Sequence, residues 1–139
     1  ASQSYAPVSP SWGVNNRSVA LRIPAGDIKA RRIEHRPAGV DANPYLVAAT
    51  VLAGIRKGLA DRIDPGPETT GNAYAEPADT AAIPSDWKSA IDAARRSDFL
   101  KDALGEDMHR TFTAIKAAEY GRVMRTVSEV DFDLYLYTV

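Results

Sequence analysis

The 139-residue chain has no cysteine, which excludes a disulfide framework and thiolate chemistry. No apolar run reaches the roughly 18 residues that a membrane span needs, and no signal-peptide pattern opens the chain. No membrane partner is therefore expected, and a cytoplasmic location is the default expectation. Charge is missing from residues 1–14, where Pro7, Pro10 and Gly13 punctuate the segment and predict extended loop. Internal repeats and low-complexity tracts are absent. A net charge of −1 gives no general attraction to nucleic acid, which is excluded as a partner.

What is present is unevenly placed. Residues 15–36 hold six bases (Arg17, Arg22, Lys29, Arg31, Arg32, Arg36) and two acids (Asp27, Glu34), a net of +4, while the rest of the chain carries −5. So local an excess points to a bound anion.

"NRSVALRIP" alternates, with Val19, Leu21 and Ile23 on one face and Ser18, Ala20 and Arg22 on the other. "RRIEHR" alternates again, setting Arg32, Glu34 and Arg36 against Arg31, Ile33 and His35. Gly26 supplies a turn between them, so the two segments predict an antiparallel strand pair. Asn43 and Pro44 then supply an N-cap and first turn for a helix running to about Asp61. Its apolar residues run almost all round, as in a helix buried within a larger body. Gly54 and Gly58 are expected to mark close packing and a C-terminal cap.

Residues 61–83, rich in Pro and Gly, form a long connection. Helices are predicted from Ser85, from Ser97 to Gly105, and over 106–125 with Met108, Phe112, Ile115, Ala118 and Val123 inward. A last helix follows a Ser128–Asp131 capping box. The class is α+β: a short antiparallel strand pair over residues 1–42, then a mainly helical part over 43–139.

Same-face neighbours on a strand lie about 6.6–6.8 Å apart. Arg32, Glu34 and Arg36 would form a row, with Arg22 and Arg17 facing it. Like charges at 4 Å repel by about 4 kcal/mol at an effective dielectric near 20, and one carboxylate does not neutralise four guanidiniums. Guanidinium forks grip phosphate and carboxylate oxygens bidentately. A carboxylate among phosphate-binding arginines is placed to hold Mg²⁺ together with substrate phosphates. By spacing alone, such a strand is more often a surface ion-pair ladder. His35 reads as packed or partly exposed, His109 as surface or core edge, and Trp12 as a packing residue rather than a nucleotide-pocket wall. Lys116 and Glu119 read as a helix-surface pair.

The order "NNRSVALRIP", then "RRIEHRPAGVDANPYLVAATVLAGIRKGL", resembles the glutamine synthetase superfamily, with its N-R-S-x-x-x-R-I-P strand, R-I-E-x-R strand and A-N-P-Y-L helix start. The closing segment from Phe99 onward is also similar. The resemblance implies the C-terminal part of that family's catalytic domain. "HRPAGVDANPYL" stands where glutamine synthetases proper usually read R-x-P-D, and is similar to the γ-glutamyl-polyamine (putrescine) ligases. The implied reaction joins L-glutamate to an amine or polyamine through γ-glutamyl phosphate. Ammonia as the acceptor, or a non-catalytic assembly or nucleotide-binding module, are the alternatives.

By position, the resemblance implies ATP-phosphate contacts and phosphoryl-transfer roles for Arg17, Arg22 and Arg32. It implies glutamate binding for Arg36 and an Mg²⁺ or Mn²⁺ ligand in Glu34. It also implies ring-shaped homo-oligomers, in which residues from Asp61 onward cover a neighbour. The family's other metal ligands, its glutamate-binding loop and its N-terminal domain precede this region. The chain is therefore expected to be a fragment that is inactive alone.

Overall fold

β2 (Leu21–Ile23) and β3 (Glu34–His35) run antiparallel, pairing Leu21 with His35 and Arg22 with Glu34. A computed structural model describes residues 6–75 and 82–138. Between the two strands lies a single 3₁₀ turn, Ile28–Ala30, capped by the Asp27 carboxylate, which accepts from the Ala30 N–H at 3.0 Å. The predicted strand pair is thus present. The observed sheet has one strand more, because β1 (Trp12–Val14) pairs in parallel with β2, giving the order β1-β2-β3.

β1 falls in the uncharged stretch expected to be loop. Only residues 15–20 connect β1 to β2, although a parallel connection usually takes a dozen residues or more. The short path is made by Asn15, which adopts a left-handed backbone (φ 51°) and donates its N–H to the Ile23 carbonyl at 2.8 Å. Asn16 holds the connection from the other side. Its Nδ2 donates to the Thr69 and Gly71 carbonyls at 2.9 and 2.8 Å, and its Oδ1 accepts from the Ser18 N–H and hydroxyl.

The long connection after the first long helix therefore laces onto the free edge of β1. The Thr69 N–H bonds the Trp12 carbonyl at 2.9 Å, Trp12 Nε1 donates to the Gly66 carbonyl at 2.9 Å, and the Val14 N–H bonds Glu68 Oε1 at 2.8 Å. Covering a strand edge in this way satisfies backbone groups that would otherwise recruit another chain. Gly13 makes the approach possible: a Cβ there would sit 2.6 Å from the Thr69 carbonyl oxygen. Val19, Ala20 and Ala73 are the buried apolar residues around this sheet.

α1 (Pro44–Asp61) begins as its sequence predicts, with Asn43 Oδ1 accepting from the Tyr45 and Leu46 N–H groups at 3.0 and 3.3 Å. Its end differs from expectation. Arg62, at φ 51°, is the left-handed cap, and its N–H and that of Ile63 return to the Gly58 carbonyl. Gly58 has open space where a side chain would stand, so it marks no close packing. None of the α1 residues is buried, and Tyr45, Leu52 and Leu59 are well exposed.

The chain divides into two compact units, residues 1–85 and 86–139. In the second, α2 (Trp87–Arg96) and α3 (Asp98–Leu104) pack on α4 (Glu106–Val123), and α5 (Glu129–Tyr135) follows. Asp86, not Ser85, caps α2, accepting from the Ser89 N–H at 2.8 Å. Ser97 caps α3, Gly105 ends it, and the Ser128–Asp131 capping box of α5 is complete, all as the sequence predicts.

The inward face of α4 differs from the predicted stripe. His109 and Thr113 are buried, whereas Met108, Ile115 and Val123 are about half exposed. His109 Nε2 donates to the Ala94 carbonyl of α2 at 2.8 Å, and Trp87 meets Tyr120 edge-on with ring centroids 5.6 Å apart.

Candidate functional site

The register that sets Arg22 opposite Glu34 sends both side chains to one face of the sheet. There Glu34 Oε2 accepts from Arg22 Nη1 at 2.8 Å, and Oε1 lies 3.2 Å from Arg36 Nε. Arg36 is fixed further by its Nη1, which donates to the Arg17 carbonyl and, at 3.2 Å, to the Val19 carbonyl. Its backbone N–H bonds the Ala20 carbonyl at 3.0 Å. The second fork of Arg22 reaches Asn15 Oδ1 at 2.8 Å.

The two arginine side chains are 15% and 14% exposed and the Glu34 side chain 39%, so the carboxylate is the part of the cluster most open to solvent. The hydrogen bond from Arg22 lowers the Glu34 pKa. Partial desolvation opposes this, and the charges of Arg22 and Arg36 reinforce it. Glu34 is thus ionised at neutral pH, and the three side chains together carry +1.

The predicted row of guanidiniums is only partly assembled. β3 holds just two residues, so Arg32 precedes the strand, and the alternation that was to align it with Glu34 does not extend that far. Arg32 is exposed and turns Nη1 toward the Ala30 carbonyl at 3.4 Å. Arg17 is likewise exposed, with its carbonyl taken up by Arg36. Arg22, Glu34 and Arg36 form the joined core of the site, and Arg17 and Arg32 stand as separate exposed cations in the same stretch. Sequence reasoning missed Asn15; the signal available was the residue type alone, since Asn tolerates left-handed backbone.

The fit of a divalent cation rests on Glu34. One lone-pair direction of each of its oxygens is used by an arginine, which leaves acceptor capacity on an exposed, ionised carboxylate. Among the described residues no three His, Asp or Glu side chains converge. At this face the described residues offer the Glu34 carboxylate as a ligand, the arrangement in which Mg²⁺ takes its remaining ligands from phosphates and water.

The opposite sheet face is apolar. Trp12, Leu21, Ile23, Ile33 and His35 border an open cavity of about 790 Å³. Trp12 is thus a wall of this apolar face, and His35 lies on the side away from Glu34. Among the described residues no helix is long and apolar enough to cross a membrane.

Residues 1–135 match the family described as "Glutamine synthetase, catalytic domain". The chain belongs to this family. It is 38% identical over 132 residues to the γ-glutamylputrescine synthetase PuuA of Escherichia coli (strain K12), covering 95% of this chain and 28% of that relative. A glutamine synthetase of Methanosarcina mazei is 35% identical over 137 residues, covering 94% and 31%. The γ-glutamylethanolamide synthetase GlnA4 of Streptomyces coelicolor is 35% identical over 105 residues, covering 76% and 22%. Among solved structures, an ADP complex of GmaS superposes with a TM-score of 0.81 at 28% identity, covering 95% of this chain and 30% of that one. The chain thus spans less than a third of the length of these relatives and matches the family's catalytic domain.

Proposed function

We propose that this chain supplies the arginine–glutamate face of an ATP-dependent glutamate–amine ligase site. The observation that carries the reading is the Arg22–Glu34–Arg36 cluster, a net positive and partly open group on one sheet face. In this reading Arg22 contacts ATP phosphates, with exposed Arg17 and Arg32 closing on the phosphoryl group in transit. Arg36 binds L-glutamate. Glu34 holds Mg²⁺ or Mn²⁺, which when bound supplies charge neutralisation to the phosphate oxygens.

The γ-carboxylate of glutamate attacks the terminal phosphorus of ATP, forming γ-glutamyl phosphate and releasing ADP. An amine nitrogen then displaces phosphate and loses a proton, leaving a γ-glutamyl amide. Fixed guanidiniums aimed at the migrating charge stabilise it with little reorganisation. Glu34 keeps Arg22 and Arg36 oriented through both steps.

A small amine or polyamine is the favoured acceptor, supported by "HRPAGVDANPYL" and by the likeness to the γ-glutamylputrescine synthetase. Ammonia is the second reading, supported by the glutamine synthetases among the relatives. We expect no turnover from this chain alone, since among the described residues no group of three candidate metal ligands forms around Glu34. Exposed Tyr45, Leu52 and Leu59 on α1, and Val130, Leu134 and Tyr137 at the C-terminal end, support assembly with further protein, a homo-oligomer in this reading. A cytoplasmic location goes with ATP and glutamate as substrates. The test is an amine panel on the full-length protein, scoring ATP- and glutamate-dependent phosphate release with ammonia, putrescine, spermidine and ethanolamine. Release with none of them would overturn the reading.

A further inference from the structure

Arg22 has five N–H donors, and their partners are unequal. Nη1 is held by Glu34 at 2.8 Å and Nη2 by Asn15 Oδ1 at 2.8 Å, while the buried Nε–H has no hydrogen-bond partner among the described residues. A guanidinium gripped at one nitrogen pivots about that contact. Gripped at both terminal nitrogens, its plane is fixed. Since none of the described residues holds the Nε edge, Asn15 is the second anchor.

The choice of residue at position 15 is narrow. Its backbone lies at φ 51°, where side chains other than Asn and Asp are disfavoured, and its N–H is committed to the Ile23 carbonyl. Glycine would satisfy the backbone without offering a side-chain acceptor. Aspartate would offer an acceptor but bring the local charge of Arg22, Glu34 and Arg36 from +1 to zero, weakening attraction for an anion. Asparagine meets the backbone requirement, accepts from Arg22 and leaves the positive charge intact.

We propose that Asn15 is a positioning residue that sets the plane of the Arg22 guanidinium for nucleotide phosphate. The inference rests on the phosphate contact assigned to Arg22 above. Its test compares Asn15→Gly, Asn15→Ala and Arg22→Lys in the full-length protein, measuring KM for ATP, KM for glutamate, kcat and Tm. Asn15→Gly keeps the backbone and removes the acceptor. Re-ordering the freed guanidinium on binding predicts a rise of about two- to tenfold in KM for ATP, with KM for glutamate unchanged and Tm lowered slightly by the lost hydrogen bond. Asn15→Ala gives the same rise together with a Tm lower by about 2–4 °C from left-handed strain.

A merely structural asparagine would move Tm and leave KM for ATP alone. That outcome, with Arg22→Lys still raising KM for ATP, overturns the inference and spares the function proposed above. If Arg22→Lys leaves KM for ATP unchanged, the phosphate contact itself fails, and this inference fails with it.

Discussion

Glu34 lies directly opposite Arg22 across the β2–β3 pair, its Oε2 2.8 Å from Arg22 Nη1, while its other oxygen faces Arg36. One carboxylate thus orients two guanidiniums, one on β2 and one directly after β3. The acid inside the basic stretch is the hinge of the cluster, and the properties of the site turn on its charge.

That charge is pH-dependent in a definite direction. Arg22 holds the Glu34 pKa below its ordinary value of 4.5. A carboxylate with a depressed folded-state pKa stabilises the fold fully above its unfolded value, and the contribution is lost as pH falls through the folded value. Urea unfolding of the wild type and of Glu34→Gln should therefore show a gap that is constant at neutral pH and closes below pH 4.5. A gap that widened on acidification would contradict the pairing.

At Gly13 the 66–71 connection leaves no room for a side chain on β1. A methyl group 2.6 Å from the Thr69 carbonyl forces one of them to move. Gly13→Ala is expected to cost about 1–3 kcal/mol, read as a lower urea midpoint, with faster amide exchange at Thr69, whose N–H bonds Trp12.

Asn43 caps α1 with two hydrogen bonds to its first turn. Asn43→Ala should cost about 1 kcal/mol, measured by denaturant unfolding. Asn43→Asp keeps the acceptor, adds a negative charge at the helix N-terminus and should restore the wild-type value or better. Equal loss in both variants would remove the cap as the cause.

The elements most legible in the sequence were those specified by neighbours. Alternation of Leu21 and Ile23 with Arg22, and of His35 with Glu34, gave β2, β3 and the two chemically opposite faces of the sheet. Asn43–Pro44, Ser97, Gly105 and the Ser128–Asp131 box marked helix ends because capping is a local exchange of hydrogen bonds. β1 was not legible. It is held by partners about 54 residues away, through the bonds of Trp12, Val14 and Asn16 to residues 66–71, and no local period records them.

The inward face of α4 misled for a related reason. Met108 and Ile115 supply an apolar stripe, but α2 offers the Ala94 carbonyl, which favours burying His109 as a donor. At the site, alternation placed Arg22 and Glu34 on facing strands, while the register that makes them meet is a property of the folded pair. The two-residue length of β3 took Arg32 out of the row, and the left-handed turn that brings in Asn15 has no signature beyond the residue itself.

Phosphate release by the full-length protein carrying Glu34→Gln tests the central claim most directly. The substitution keeps the shape of Glu34 and removes the charge that orients Arg22 and Arg36 and is proposed to hold the metal. With ATP, glutamate, amine and Mg²⁺ supplied, turnover should fall by about a hundredfold or more, with the folded structure retained by circular dichroism. Turnover within about twofold of wild type, below the loss expected for a single catalytic electrostatic contact, would contradict the account.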